Sequence, residues 1–140
     1  MSVLAGLKPE RVFYYFEELC RIPHGSGNTK EVSDYLVQFA RDHELSWYQD
    51  ASNNVIIRRP ASKGCESAPT VILQGHCDMV CEKNKNVEHD FTKDGIKLVV
   101  DGDILRADGT TLGADNGQAV ACMMAFLARK DMKHPPLECV

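Results

Sequence analysis

The sequence predicts an α/β fold, a sheet flanked by helices, on three observations. A short apolar run, Val71-Ile72-Leu73, bounded by Pro69 and Gly75, reads as a buried strand. Two segments before it place apolar residues at helical spacing, and a third after it, Ala119 to Ala128, is apolar almost all round, as a buried helix is. At the carboxyl end of the central strand stands a polar triplet, His76-Cys77-Asp78. That is the edge where open α/β sheets place their ligand sites.

Taken in order, Pro9 to Cys20 carries Val12, Phe13, Phe16, Leu19 and Cys20 on one helical face, with Pro9 suited to the first turn. Ile22-Pro23 ends that helix. Gly25-Ser26-Gly27-Asn28 is a loop that lacks a third glycine and follows a helix, so it is no dinucleotide fingerprint. His24 beside it has no partner along the chain and reads as a surface or capping histidine. Asn28 or Thr29 caps a second helix whose apolar side is Val32, Tyr35, Leu36, Phe39 and Ala40. Leu45 to Gln49 and Asn54 to Arg59 read as strands, the second rich in β-branched residues, and Ser62 to Pro69 as a polar turn. Beyond the central strand, a charged loop from Glu82 to Asp94 contains His89-Asp90, which lacks convergent partners and reads as solvated. Ile96 to Val100 and Asp103 to Ala107 flank Asp101-Gly102, a hairpin signal. Asn116 to Lys130 is the third helix, expected against the sheet, and Leu137 to Val140 resembles the first residues of another strand.

Composition narrows the function. With 44% hydrophobic and 26% charged residues, the 140-residue chain belongs with globular rather than disordered sequences. A net charge of −4 offers no basic stripe for nucleic acid. No stretch is apolar and long enough for a membrane span, and the first residues lack a signal-peptide pattern, so a cytoplasmic protein is expected. In that compartment the six scattered cysteines are expected to be reduced thiols.

If the backbone stays extended through the triplet, His76 and Asp78 point to one side and Cys77 to the other. Asp115 and Asn116 end a glycine-rich loop and open the third helix, where free backbone N–H groups favour a carboxylate. His76, Asp78 and Asp115 together make half of a metal site and not a whole one. Taken alone, His-x-Asp reads better as a strand-end histidine satisfied by a local carboxylate. Cys77 as a nucleophile paired with His76 is disfavoured, because strand neighbours face opposite ways. Cys77 and Cys81 lack the second pair that a structural zinc site requires.

The run His76-Cys77-Asp78-Met79-Val80, followed by Gly113-Ala114-Asp115-Asn116-Gly117, is similar to the two amino-terminal signature motifs of the M20 family of dinuclear zinc exopeptidases. The segments Arg21-Ile22-Pro23-His24-Gly25-Ser26-Gly27-Asn28 and Asp50-Ala51-Ser52-Asn53-Asn54-Val55 resemble its aminoacyl-histidine (Xaa-His) dipeptidase branch. Four motifs in order span nearly the whole chain. The resemblance implies the three-layer α/β/α fold of zinc exopeptidases, with a mixed sheet flanked by helices, and hydrolysis of Xaa-His dipeptides on two zinc ions. By the same resemblance His76 ligates one zinc, Asp78 orients that imidazole from behind, and Asp115 bridges both metals with a cis peptide bond after it.

The family also carries a Glu-Glu pair beyond the bridging aspartate, supplying the general base and a ligand. Here Glu17-Glu18 is the only such pair, and it lies in the first helix. Residues 1–140 are thus expected to be the amino-terminal part of the catalytic domain, truncated before the Glu-Glu motif. Alone they are expected to be inactive and to self-associate through uncovered apolar surface. The expected partner is a dipeptide, with neither nucleic acid nor membrane. A non-catalytic metal-binding or assembly module is the reading of a different class.

Overall fold

The structure is a computed structural model and describes residues 2–140. Its elements run α1 (Glu10–Arg21), α2 (Lys30–Asp42), β1 (Ser46–Gln49), β2 (Val55–Arg59), β3 (Val71–Leu73), β4 (Leu98–Asp101), β5 (Ile104–Ala107), α3 (Ala114–Ala128) and β6 (Leu137–Cys139). The two amphipathic patterns become α1 and α2. Ile22 leaves the helical region at φ −96° and ψ 125°, as a residue before proline must, and this stops α1.

Four strands form one mixed sheet in the order β1-β2-β6-β3. β1 and β2 are antiparallel, β2 and β6 antiparallel, and β3 and β6 parallel. β4 and β5 form a separate hairpin with Asp101 opposite Ile104, and Gly102 turns the chain at φ +58°. The Leu137 segment, read as a strand start, is therefore the strand that joins β2 to β3. Its partners lie some eighty and sixty-five residues earlier, as in Arg58 opposite Glu138 and Ile72 opposite Glu138.

Two expectations need correction. β3 is at the edge of the sheet rather than in its middle, so Val71 and Ile72 are 42% and 63% exposed instead of buried. An unbroken apolar run predicts a strand covered on both faces; here one edge and much of both side chains lack cover. α3 packs chiefly on α1, where Phe16 lies close to Gly117, rather than lying flat on the sheet. The Arg59 guanidinium of β2 donates to the Phe126 and Leu127 carbonyls at 2.8 and 3.2 Å, tying the end of α3 to the sheet at one point. Between α2, α3 and the sheet this leaves a cavity of about 340 Å³, with Leu36, Ile57, Met123 and Leu127 in its wall and His76 and Asp78 at its rim.

Candidate functional site

Three segments meet beyond the carboxyl end of β3. The first continues β3 itself: Gly75 N–H donates to the Val140 carbonyl at 3.0 Å, after which the backbone leaves the sheet and presents His76. The second is the Gly25 loop, paired with Met79. Met79 N–H donates to the His24 carbonyl at 3.0 Å and Ser26 N–H to the Met79 carbonyl at 3.1 Å. The third is the start of α3. Gly113 turns at φ +78°, and a Cβ there would stand 2.9 Å from the Met79 sulfur, so only glycine lets this loop close on the first two.

Asp115 and Asn116 do not have helical backbone angles, and the bond between them is cis, the geometry the resemblance implies. Regular helix begins after them. Asp115 therefore stands on a break ahead of the helix, with its side chain 92% exposed.

These placements bring all three predicted site residues together. His76 Nδ1 lies 3.0 Å from Asp78 Oδ1 and 3.1 Å from the Asp78 carbonyl, and His76 Nε2 lies 3.1 Å from Asp115 Oδ1. Burial works against the charged ring, yet the hydrogen bonds with Asp115 and Asp78 outweigh it and hold the imidazole pKa above its usual value. The protonated ring donates to both carboxylates. Once it is neutral with the proton on Nδ1, Nε2 and Asp115 Oδ1 are two electron-pair donors aimed at one region. Their 3.1 Å separation is close to the roughly 3.3 Å edge of a tetrahedron whose corners lie about 2 Å from a zinc ion. The donor pair fits a divalent cation. Among the described residues no third His, Cys, Asp or Glu joins it.

Ser26 is the site residue that motif reading missed. Its hydroxyl donates to Asp78 Oδ2 at 2.5 Å, on the oxygen that His76 does not use. The Ser26 hydroxyl foremost holds the Asp78 carboxyl below the ordinary carboxylate range; burial, the next largest effect, opposes it, and the imidazole adds to the lowering. A serine in a glycine loop carries no signal of its own; only the pairing of that loop with Met79 reveals it.

His24 corrects an expectation. It is 5% exposed rather than on the surface, with Nδ1 2.6 Å from the Ile22 carbonyl, because the paired loop folds it inward. Cys77 is half-buried against the core, and burial, with help from the Asp78 charge, raises its thiol pKa. Burial raises that of Cys81 too, so neither thiol has the lowered pKa of a reactive cysteine. All six cysteines are free thiols. His89 and Asp90 go elsewhere: His89 packs edge-on to Phe91, and Asp90 caps its own turn by accepting from Thr92.

No family model matches the chain. It is 42% identical over 138 residues to the cytosol non-specific dipeptidase of Escherichia coli, covering 99% of this chain and 28% of that protein. The crystal structure of aminoacylhistidine dipeptidase from Vibrio alginolyticus superposes with a TM-score of 0.94 at 40% identity, over 97% of this chain and 28% of that one. An aminopeptidase from Bacillus cereus, at 23% identity and a TM-score of 0.73 over 93% of this chain and 35% of its own, shares the fold. The chain thus spans little more than a quarter of the length of the two dipeptidases it matches. Along nearly all of its residues the chain is similar to one stretch of these dipeptidases, 42% and 40% identical, and its backbone follows that of the Vibrio alginolyticus enzyme.

Proposed function

We propose that this chain carries the His76, Asp78 and Asp115 part of a dinuclear zinc centre that hydrolyses dipeptides in the cytoplasm. The observation that supports it best is the 3.1 Å approach of His76 Nε2 to Asp115 Oδ1, with the far side of the ring held by Asp78. His76, through Nε2, and the exposed Asp115 carboxylate are the side chains that would hold the zinc. Asp78 accepts from Nδ1–H, which fixes the tautomer and leaves Nε2 free to ligate. Bound zinc lowers the pKa of water and polarises the scissile carbonyl.

The substrate class is a dipeptide of the Xaa-His type, in keeping with the motif resemblance and the name of the Vibrio alginolyticus relative. The compartment follows the name of the Escherichia coli relative, and no helix among the described residues is long and apolar enough to cross a membrane. Two donors fall short of the three protein ligands that a catalytic zinc keeps. Residues 1–140, the amino-terminal part of the catalytic domain in this reading, therefore bind zinc weakly and turn over little or no dipeptide by themselves.

Calorimetry with zinc and an assay with Leu-His and β-alanyl-His test the proposal. Weak zinc binding that disappears in both His76→Ala and Asp115→Ala is expected. Zinc affinity unchanged in those variants would overturn the metal assignment. Robust turnover by the 140 residues, abolished by His76→Ala, would overturn the claim that these residues are insufficient. A stable protein partner retained without metal affinity would favour the assembly module.

A further inference from the structure

We propose that Ser26 is a positioning residue for the metal centre, acting through Asp78 to hold the His76 ring; this rests on the zinc reading above. A carboxylate on a short side chain turns freely about its last bond, since that torsion is broad and two-fold. Asp78 has both oxygens engaged in different directions: Oδ1 faces His76 Nδ1 at 3.0 Å, and Oδ2 accepts from the Ser26 hydroxyl at 2.5 Å. Two anchors on opposite oxygens define the carboxylate plane, and the plane defines where the Nδ1–H must point. The result is a chain of contacts from Ser26 through Asp78 and His76 to Asp115, crossing the three loops that build the site.

The Gly25 loop does not need the hydroxyl to stay in place. Ser26 N–H bonds the Met79 carbonyl at 3.1 Å, Met79 N–H bonds the His24 carbonyl at 3.0 Å, and Gly25 bridges Met79 in parallel register. The Ser26 hydroxyl has a second acceptor only at 3.4 Å, the same Met79 carbonyl. Ser26 is exposed, so removing one oxygen leaves no cavity in the core. Its effect is confined to the orientation of Asp78 and, through it, the tautomer and direction of His76.

NMR of the imidazole nitrogens in the metal-free chain, at alkaline pH where the ring is neutral, reads this directly. The wild-type ring is expected in the Nδ1–H tautomer. Ser26→Ala shifts the population several-fold toward Nε2–H, and Ser26→Thr, which keeps the hydroxyl, restores it. Amide spectra matching the wild type establish that the fold is intact, and Ser26→Gly, a second hydroxyl deletion, must show the same shift.

Zinc titration supplies the second measurement. Ser26→Ala weakens affinity by about 10-fold, the low end of the range for groups that orient metal ligands. In an Asp78→Asn background the same substitution adds nothing. An unchanged tautomer ratio in Ser26→Ala, or an equal loss of affinity with and without Asp78, would overturn the role of Ser26. Zinc affinity indifferent to His76→Ala would instead overturn the metal reading, whatever the tautomer ratio does.

Discussion

Gly25 shows how tightly the site loops are drawn together. A Cβ built on it would stand 2.5 Å from the Cys81 sulfur, well inside contact distance. Gly25→Ala is expected to destabilise the chain by about 1–3 kcal/mol, the usual cost of overpacking. The double variant Gly25→Ala, Cys81→Ala should recover most of it, and thermal melts of the three proteins measure both effects. Glu17 makes a second prediction at this scale. It is 6% exposed, accepts from the Ser2 hydroxyl and the Val3 and Leu4 N–H groups, and faces Arg21. Burial alone would raise its pKa, but those hydrogen bonds and the Arg21 charge bring it below the ordinary value. A carboxyl depressed in the folded state stabilises it above the unfolded pKa, and that stabilisation is lost as pH falls through the folded pKa. Denaturant unfolding followed into the acid range should lose stability more steeply in the wild type than in Glu17→Gln, and parallel curves would contradict the assignment. At this scale sequence reading reached His76, Asp78 and Asp115, whose residue types announce their chemistry. It missed Ser26 and misplaced His24, because their surroundings are set by pairing with Met79, more than fifty residues away.

Among the elements, the α1–α3 contact is the most extensive packing in the chain, and Met124 of α3 lies in the core at 1% exposure. Met124→Ala is expected to cost about 2–5 kcal/mol, as other large-to-small core substitutions do. Phe126→Ala, on the same helix but 43% exposed, should cost much less. Urea denaturation compares the two, and similar losses would mean that α3 is buried on another face. Helices α1 and α2 were legible because a one-sided apolar stripe records which way a helix faces. α3 is apolar all round, so its sequence records no direction, and packing on α1 could not be distinguished from packing on the sheet. The Asp101-Gly102 turn was legible from local backbone chemistry. The break at Asp115 and Asn116 was not legible from local chemistry and entered only through the motif resemblance.

At the level of the whole molecule, the position of β6 between β2 and β3 depends on partners far apart in sequence, which no local pattern encodes. The same arrangement leaves β3 at an edge with Val71 and Ile72 exposed, a row of unpaired backbone groups beside apolar side chains. Residues 1–140 are therefore expected to self-associate at high concentration, and Ile72→Lys to suppress it; light scattering showing a wild-type monomer throughout would refute this. The Met79 junction has a further consequence. Because His24, Ser26 and Gly113 all close on Met79, the loops carrying Asp78 and Asp115 cannot let go one at a time. The amide protons of Ser26 and Met79 should trade with deuterium at matching rates, as one cooperative opening. Warming would then dissolve the cation cradle in a single step.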